Sequence, residues 1–230
     1  MVGTLFNAVT VAIGASAGLI LGKRLSDSLN AIIFQALGLF TLGLGIAMSL
    51  ETANLFAVFL ALITGVVCGH ALQLDERMKK STARLGEGTG TALVQSVLLF
   101  CVGAMTLIGC MQDGLNDDST VLFIKGSMDL VSSAFLAAAL GRGVLLAAPA
   151  VLLIQGALTA AFAFWGAAWS DALIADLTGL GGLLLLALGL DLLKVRSFPL
   201  LNFTPAFLFI PLFQPVADWL ETGLPQLFLP

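Results

Sequence analysis

Residues 119–141 read STVLFIKGSMDLVSSAFLAAALG. At about 1.5 Å per residue a helix of this length crosses a hydrocarbon core of about 30 Å. Yet the segment carries Lys125 and, four residues on, Asp129. A cation and an anion at that spacing share one face of a helix. In lipid such a pair is costly, and ionisable residues at membrane depth mark functional sites by default.

The rest of the chain gives the segment its setting. Of 230 residues, 59% are hydrophobic and 10% charged, and the mean hydropathy is +1.05. A soluble domain carries about 25% charged residues, so polar side chains cannot clothe this chain as a globule. The excess apolar surface must face lipid, which makes this a multipass membrane protein. Backbone groups in lipid must be satisfied internally. Apolar runs of roughly 20 residues, rich in Leu, Ala and Gly, therefore mean helices and not barrel strands. Runs and short connectors consume the whole chain, so residues 1–230 form a single integral membrane domain, all-α, a polytopic transmembrane helical bundle.

The net charge of −4 comes with no basic patch for nucleic acid. Cys68, Cys101 and Cys110 lie within apolar runs and read as small packing residues, not as metal ligands or a disulfide framework. Met1 to Thr4 lack a positive leading segment, and the first charges, Lys23 and Arg24, follow the first apolar run. A cleaved signal peptide is not expected.

Eight spans are expected, at about 3–22, 29–49, 53–72, 91–111, 119–141, 144–167, 172–193 and 198–216. With the N-terminus outside, Lys23 and Arg24 fall inside, as do Arg77, Lys79, Lys80 and Arg84 in the loop Gln73 to Gly90. Arg142, Lys194 and Arg196 fall on the same side. The connectors at Glu51-Thr52, Asp113 to Asp118, Ala168 to Asp171 and the tail from Ala217 contain no Lys or Arg. That segregation follows the positive-inside pattern and leaves both termini outside the cytoplasm. Merging the fifth and sixth spans would give seven and spoil the segregation downstream.

The halves 3–111 and 119–216 look alike and are expected to form two parallel four-helix repeats. Asn7 aligns with Asp129 at an offset of 122 (129 − 7), and Gln35 with Gln155 at 120 (155 − 35). Gly69 matches Gly189, again 120 apart (189 − 69). The second span also matches the seventh through Gly38/Gly182 and Gly45/Gly189, at an offset of 144 (182 − 38). The first alignment is preferred because it pairs polar residues, which are rare here.

Gly14, Gly18 and Gly22 form a small-xxx-small face, and Gly65 and Gly69 another. Such faces let helix backbones approach closely, within the chain or between copies in a homo-oligomer. The last span holds Pro199, Pro205, Pro211 and Pro215, with Asn202 and Thr204 beside Pro205. Prolines remove backbone donors and bend helices. A broken helix of this kind coordinates cations in transporters, while its plainer reading is a bent packing helix.

The sharpest functional expectation is a polar path on the repeat axis for a small ion. Asp129 attracts the cation, Lys125 is its removable counter-ion, and Asn7, Gln35 and Gln155 line the route, with Asn202 as a further candidate. Asn7, Lys125 and Asp129 fall in the outer half of their helices, and Gln35 and Gln155 nearer mid-membrane. The competing readings are a fixed ion pair that locks the fifth span and a Lys125 that snorkels to the headgroups. Asp191 is expected to pair with Lys194 or Arg196, and His70 to sit as an interfacial hydrogen-bonder. Enzyme chemistry finds no support. The chain has one His, no HExxH, no paired metal-ligand spacing and no phosphate-binding loop, and nothing favours a Ser-Lys dyad built on Lys125. No cofactor is expected.

Several stretches resemble a known family. They are Gly3-Thr4-Leu5-Phe6-Asn7-Ala8, the run Leu98-Leu99-Phe100-Cys101-Val102-Gly103-Ala104-Met105, Asp113-Gly114-Leu115, and Lys125-Gly126-Ser127-Met128-Asp129 with Ser132-Ser133. Together they are similar to the YqgA-type family of bacterial inner-membrane proteins, a domain of unknown function, over essentially the whole chain. The Phe-Cys-Val-Gly-Ala-Met run is the most specific part. The resemblance implies a bacterial inner-membrane location. The family has been described loosely as a sodium channel or pump and as affecting biofilm formation, which leans toward ion movement. It supplies no catalytic residues. The expected function is passive or secondary transport of a small monovalent cation. The alternative is a non-transporting membrane scaffold or signalling subunit that acts through partner proteins.

Overall fold

The computed structural model describes residues 1–22, 26–86, 88–102, 104–165 and 170–216. Among these, every regular element is a helix: α1 (Val2–Gly22), α2 (Asp27–Ser49), α3 (Leu55–Ala71), α4 (Leu74–Thr82), α5 (Thr89–Cys101), α6 (Ala104–Leu115), α7 (Thr120–Leu140), α8 (Ala147–Trp165), α9 (Asp171–Leu192) and α10 (Leu200–Val216), whose first turn, Leu200–Phe203, is 3₁₀. Starts are set by local chemistry. The side chains of Ser26, Asn54 and Ser170 accept from first-turn amides of α2, α3 and α9, satisfying donors that no intrahelical carbonyl reaches.

Among the described residues, five helices are long and apolar enough to cross a membrane: α1, the 31–49 part of α2, α7, α8 and α9. The number rises to seven if each bent pair counts as one span, α3 with α4 at 48° and α5 with α6 at 60°. At 17 residues α10 is shorter. Buried leucines and glycines line most of α9, the core helix. Most of α2 faces outward, with Ile32, Leu39, Phe40 and Ile46 exposed, as lipid contact requires.

Two seams hold the bundle. The first joins α1 and α7, which run parallel. A Cβ on Gly14, Gly18 or Gly22 would strike the backbone of Leu130, Ala134 or Ala138, a constant offset of 116 (130 − 14, 134 − 18, 138 − 22). Phe6 and Phe123 close one end of this seam edge to face, with ring centroids 5.0 Å apart. The second seam joins α2 and α9, which run antiparallel, with Gly45 against Gly182 and Gly38 near Gly189. These are the glycines that suggested a second repeat alignment. In the structure they face each other across the α2–α9 seam. Gly65 and Gly69 of α3 receive Ala206 and Asn202 of α10, again antiparallel. The glycine faces of α1 and α3 are thus both used within the chain.

These directions sort the charges. The ends of α4, α7 and α9 and the starts of α5, α8 and α10 gather at one end of the bundle. Every described Lys and Arg except Lys125 lies there: Arg77, Lys79 and Lys80 of α4, then Arg84, Arg142, Lys194 and Arg196. Lys23 and Arg24 lie outside the described residues. The opposite end carries Glu51, Asp113, Asp117, Asp118 and Asp171. There, hydrogen bonds from the hydroxyl and amide of Thr120 hold the Asp118 carboxyl below its ordinary range.

Three expectations change. The stretch 91–111 is not one helix, because α5 ends at Cys101 and α6 leaves at 60°. The charged loop 73–90 contains a helix, α4, with Asp75 and Glu76 in its first turn and Lys79 and Lys80 in its last, which suits the helix dipole. The two halves do not pack equivalently either. Where α2 lies on α9, its supposed counterpart α8 lies on α1, α5 and α6.

Candidate ion site at a broken helix

The α1–α7 seam dictates the position of the charged pair. Gly126 lets α1 approach so closely that a Cβ there would meet the Phe6 ring and the Asn7 backbone. Lys125 and Asp129 flank this glycine. Lys125 Nζ donates to Asp129 Oδ2 at 2.5 Å, and each side chain is only 9% exposed. The order, cation before anion, is the less favourable arrangement of an i,i+4 pair in a helix. The pair is therefore not explained as a device for stabilising α7.

Behind the pair lies a run of polar groups. The Asn7 amide lies within hydrogen-bonding reach of the Asp129 carboxylate. Asn7 Nδ2 donates to Gln155 Oε1 at 3.1 Å, and Thr4 and Thr159 share a hydrogen bond of 3.3 Å. Asn7 and Gln155 are fully buried, and Asn7 Oδ1 and Gln155 Nε2 have no partner among the described residues. Unpartnered polar atoms in a core are costly.

In front of the pair is the break. Val102 is extended, with φ −101° and ψ 112°, and its amide returns to the Leu98 carbonyl. Thr106 Oγ1 donates to the Phe100 carbonyl at 3.1 Å, meeting one acceptor that the break sets free. A cavity of about 280 Å³ lies between the break and the pair. Thr106, Lys125, Asp129, Ser132 and Glu51 line it, among apolar residues that include Val102, Phe40, Leu44 and Met128. Glu51 is exposed at the acidic end, so the cavity extends from the buried pair to that surface. Irregular backbone at membrane depth is tolerated only where it is buried in protein or lines a water-filled cavity.

Of the sequence-predicted residues, four come together here: Lys125, Asp129, Asn7 and Gln155. Two do not. Gln35 is exposed; α9 ends level with Gly38, which meets Leu193, so Gln35 extends past the helix that would have covered it. Asn202 sits at the opposite, basic end, where its Oδ1 accepts from the Asp75 amide at 3.0 Å and ties α10 to the start of α4. Asp191 receives Gln95 Nε2 at 2.7 Å instead of Lys194, whose ammonium lies 5.9 Å over the Phe34 ring.

Reading residues singly missed other partnerships. Asp176 is fully buried. It accepts from the amides of Ala53 and Asn54 and from Gln214 Nε2, at 3.0, 2.7 and 2.9 Å. These donors lie 123, 122 and 38 residues away, and no local spacing reveals them.

Fold and site together define a multipass helical membrane protein with a broken helix set against a buried ion pair. The chain belongs to the family described as Protein of unknown function (DUF554), whose model matches residues 2–214. It is 33% identical over 222 residues to the uncharacterized membrane protein YdfK of Bacillus subtilis, covering 92% of this chain and 94% of that protein. It is 29% identical over 220 residues to the uncharacterized protein YqgA of Escherichia coli, covering 90% and 94%. The family resemblance read from the sequence is thereby confirmed. No solved structure is significantly similar.

Proposed function

We propose that this protein carries a small monovalent cation across the bacterial inner membrane, by passive or secondary transport, with Asp129 as the binding carboxylate and Lys125 as its displaceable counter-ion. One observation carries the reading. A carboxylate and an ammonium, both buried, line a cavity that runs from a broken helix to the exposed Glu51. An arriving cation takes the place of the ammonium on Asp129, and the unpartnered carbonyl of Asn7 offers it a second oxygen. Hard cations favour such all-oxygen sets. Half-helix ends with freed backbone groups serve the same purpose in known transporter architectures. The process involves no covalent step.

The orientation follows from the charges. The basic end faces the cytoplasm, and the acidic end, with the mouth of the cavity, faces outward. We read eight traverses: α1, α2, α3, α5 with α6, α7, α8, α9 and α10. The antiparallel packing of α10 on α3 supports the eighth. The parallel α1 and α7, each the first helix of its half, support a relation between 3–111 and 119–216.

Purified protein in liposomes tests the reading. An imposed gradient of sodium, potassium or lithium is expected to drive flux that Asp129→Asn abolishes in folded protein. Wild-type flux equal to that of protein-free vesicles for all three ions rejects transport and leaves the scaffold alternative.

A further inference from the structure

The other end of α5 carries a second polar constellation, which the site at the break does not use. Asp191 is the penultimate residue of α9, a helix with no basic residue in its last turn. A helix C-terminus carries partial negative charge, so a carboxylate there is favoured only by a cation. None of the described Lys or Arg residues forms an ion pair with Asp191. Lys79 is held by Asp75 at 2.6 Å, and Lys194 lies over Phe34.

What Asp191 does receive is the Gln95 amide, Nε2 to Oδ2 at 2.7 Å. A carboxylate accepts and cannot donate, so the orientation of this amide is fixed and Oε1 must point elsewhere. Gln95 is 6% exposed, and no donor among the described residues reaches its Oε1. Two cavities adjoin the pair. One, of about 370 Å³, is lined by Thr91, Gln95, Asp191 and Lys194. The other, of about 40 Å³, is bordered by Asp75, Lys79, Gln95, Asp191 and Ser197. A carboxylate at a helix C-terminus and a buried, donorless carbonyl side by side form an oxygen set suited to a cation.

We propose that Asp191 and Gln95 form a second monovalent-cation subsite, at the basic end of the bundle. It rests on the transport reading for why a cation arrives there. Gln95 of α5 lies seven residues before Val102, where the helix breaks (102 − 95), about 10 Å along a helix. The half-helix thus connects the cavity at the break with an exit subsite facing the opposite compartment. Lys194 lines the larger cavity and competes with the bound ion.

Binding of radiolabelled sodium and rubidium ions to the full chain in detergent, by scintillation proximity, tests this separately from flux. Monodispersity by size exclusion reports folding. Asp191→Asn is expected to halve the ions bound at saturation, leaving the component that Asp129→Asn removes. Gln95→Met keeps the carboxylate and is expected to weaken the Asp191-dependent component about tenfold, equivalent to 1.4 kcal/mol. Lys194→Gln, an exposed change, is expected to tighten it. A purely structural Asp191 would leave ion binding unchanged in folded variants, and unchanged binding in Gln95→Met and Lys194→Gln overturns the subsite even where Asp191→Asn does not fold. If Asp129→Asn abolishes both binding and flux while these variants match wild type, the subsite is wrong and transport stands. Asp191-dependent binding without flux in liposomes sinks transport and keeps the subsite.

Discussion

A double-mutant cycle on Lys125 and Asp129 separates structure from function at the break. Removing one partner of a buried ion pair leaves an uncompensated charge, at about 3–5 kcal/mol in soluble cores and about 2.5–3.5 kcal/mol for a charge at the centre of an inserted helix. The cavity beside this pair offers some hydration, so about 3 kcal/mol is expected for each of Lys125→Met and Asp129→Asn. The double variant holds no charge. Its amide at position 129 keeps the reach of Asn7, and the methionine fills the lysine stem. It is expected within about 1 kcal/mol of wild type, which makes the coupling about 5 kcal/mol. Reversible unfolding in bicelles by steric trapping measures all four proteins. Liposome flux then divides the readings: the double variant should be folded and silent, because Asp129 binds the ion. Additive single costs would show that the two charges do not meet in the membrane. A stable double variant conducting at the wild-type rate would refute the role of Asp129 and leave a purely structural pair.

Other substitutions probe the frame around the site. Gly18→Leu drives a side chain into the Ala134 carbonyl and should cost about 3 kcal/mol or more, the upper range of overpacking. Gly156→Leu, where a Cβ meets nothing within 4 Å, should stay within about 0.5 kcal/mol; unfolding midpoints of the pair check the α1–α7 seam. Asp176→Ala strips an acceptor from the Ala53 and Asn54 amides just before α3 and from Gln214 and should cost about 3 kcal/mol, read as faster exchange of those two amides. Thr106→Val removes the donor from the Phe100 carbonyl, at about 1 kcal/mol, and should alter flux more than stability if the break borders the route.

Much of this was legible in the sequence because membrane physics leaves few choices. Apolar length gave the helices, and the positions of Lys and Arg gave the two ends of the bundle. The four-residue spacing of Lys125 and Asp129 placed them on one face, and Asn7 was brought to them by its alignment with Asp129 and its similar depth. The break was not legible. Residues 101–104 read Cys-Val-Gly-Ala, with no proline, and an isolated glycine is common in membrane helices. Gln95 and Asp191, 96 residues apart, meet only through tertiary packing. The competing 144-residue alignment came from glycines that pack on each other. Gly38, Gly45, Gly182 and Gly189 recur at a fixed spacing because two antiparallel helices need small residues at matching heights.

The break and the ion pair account for each other. An unbroken apolar helix over 91–111 would cross lipid with every backbone bond made, so ending it at Cys101 exposes carbonyls where hydrocarbon cannot answer them. A lysine and an aspartate at that depth face the same difficulty from the side-chain direction. Each feature alone is adverse. Placed against one cavity, Val102 and Thr106 of the break and the charged side chains face each other across a space otherwise lined by apolar residues such as Phe40, Leu44 and Met128. The Phe-Cys-Val-Gly-Ala-Met run, the most specific part of the family resemblance, lies on this break, and Lys125-Gly126-Ser127-Met128-Asp129 faces it. A fixed structural pair needs no broken helix beside it, and a bent packing helix needs no buried charge. That both occur at one cavity favours an ion as the reason for the arrangement.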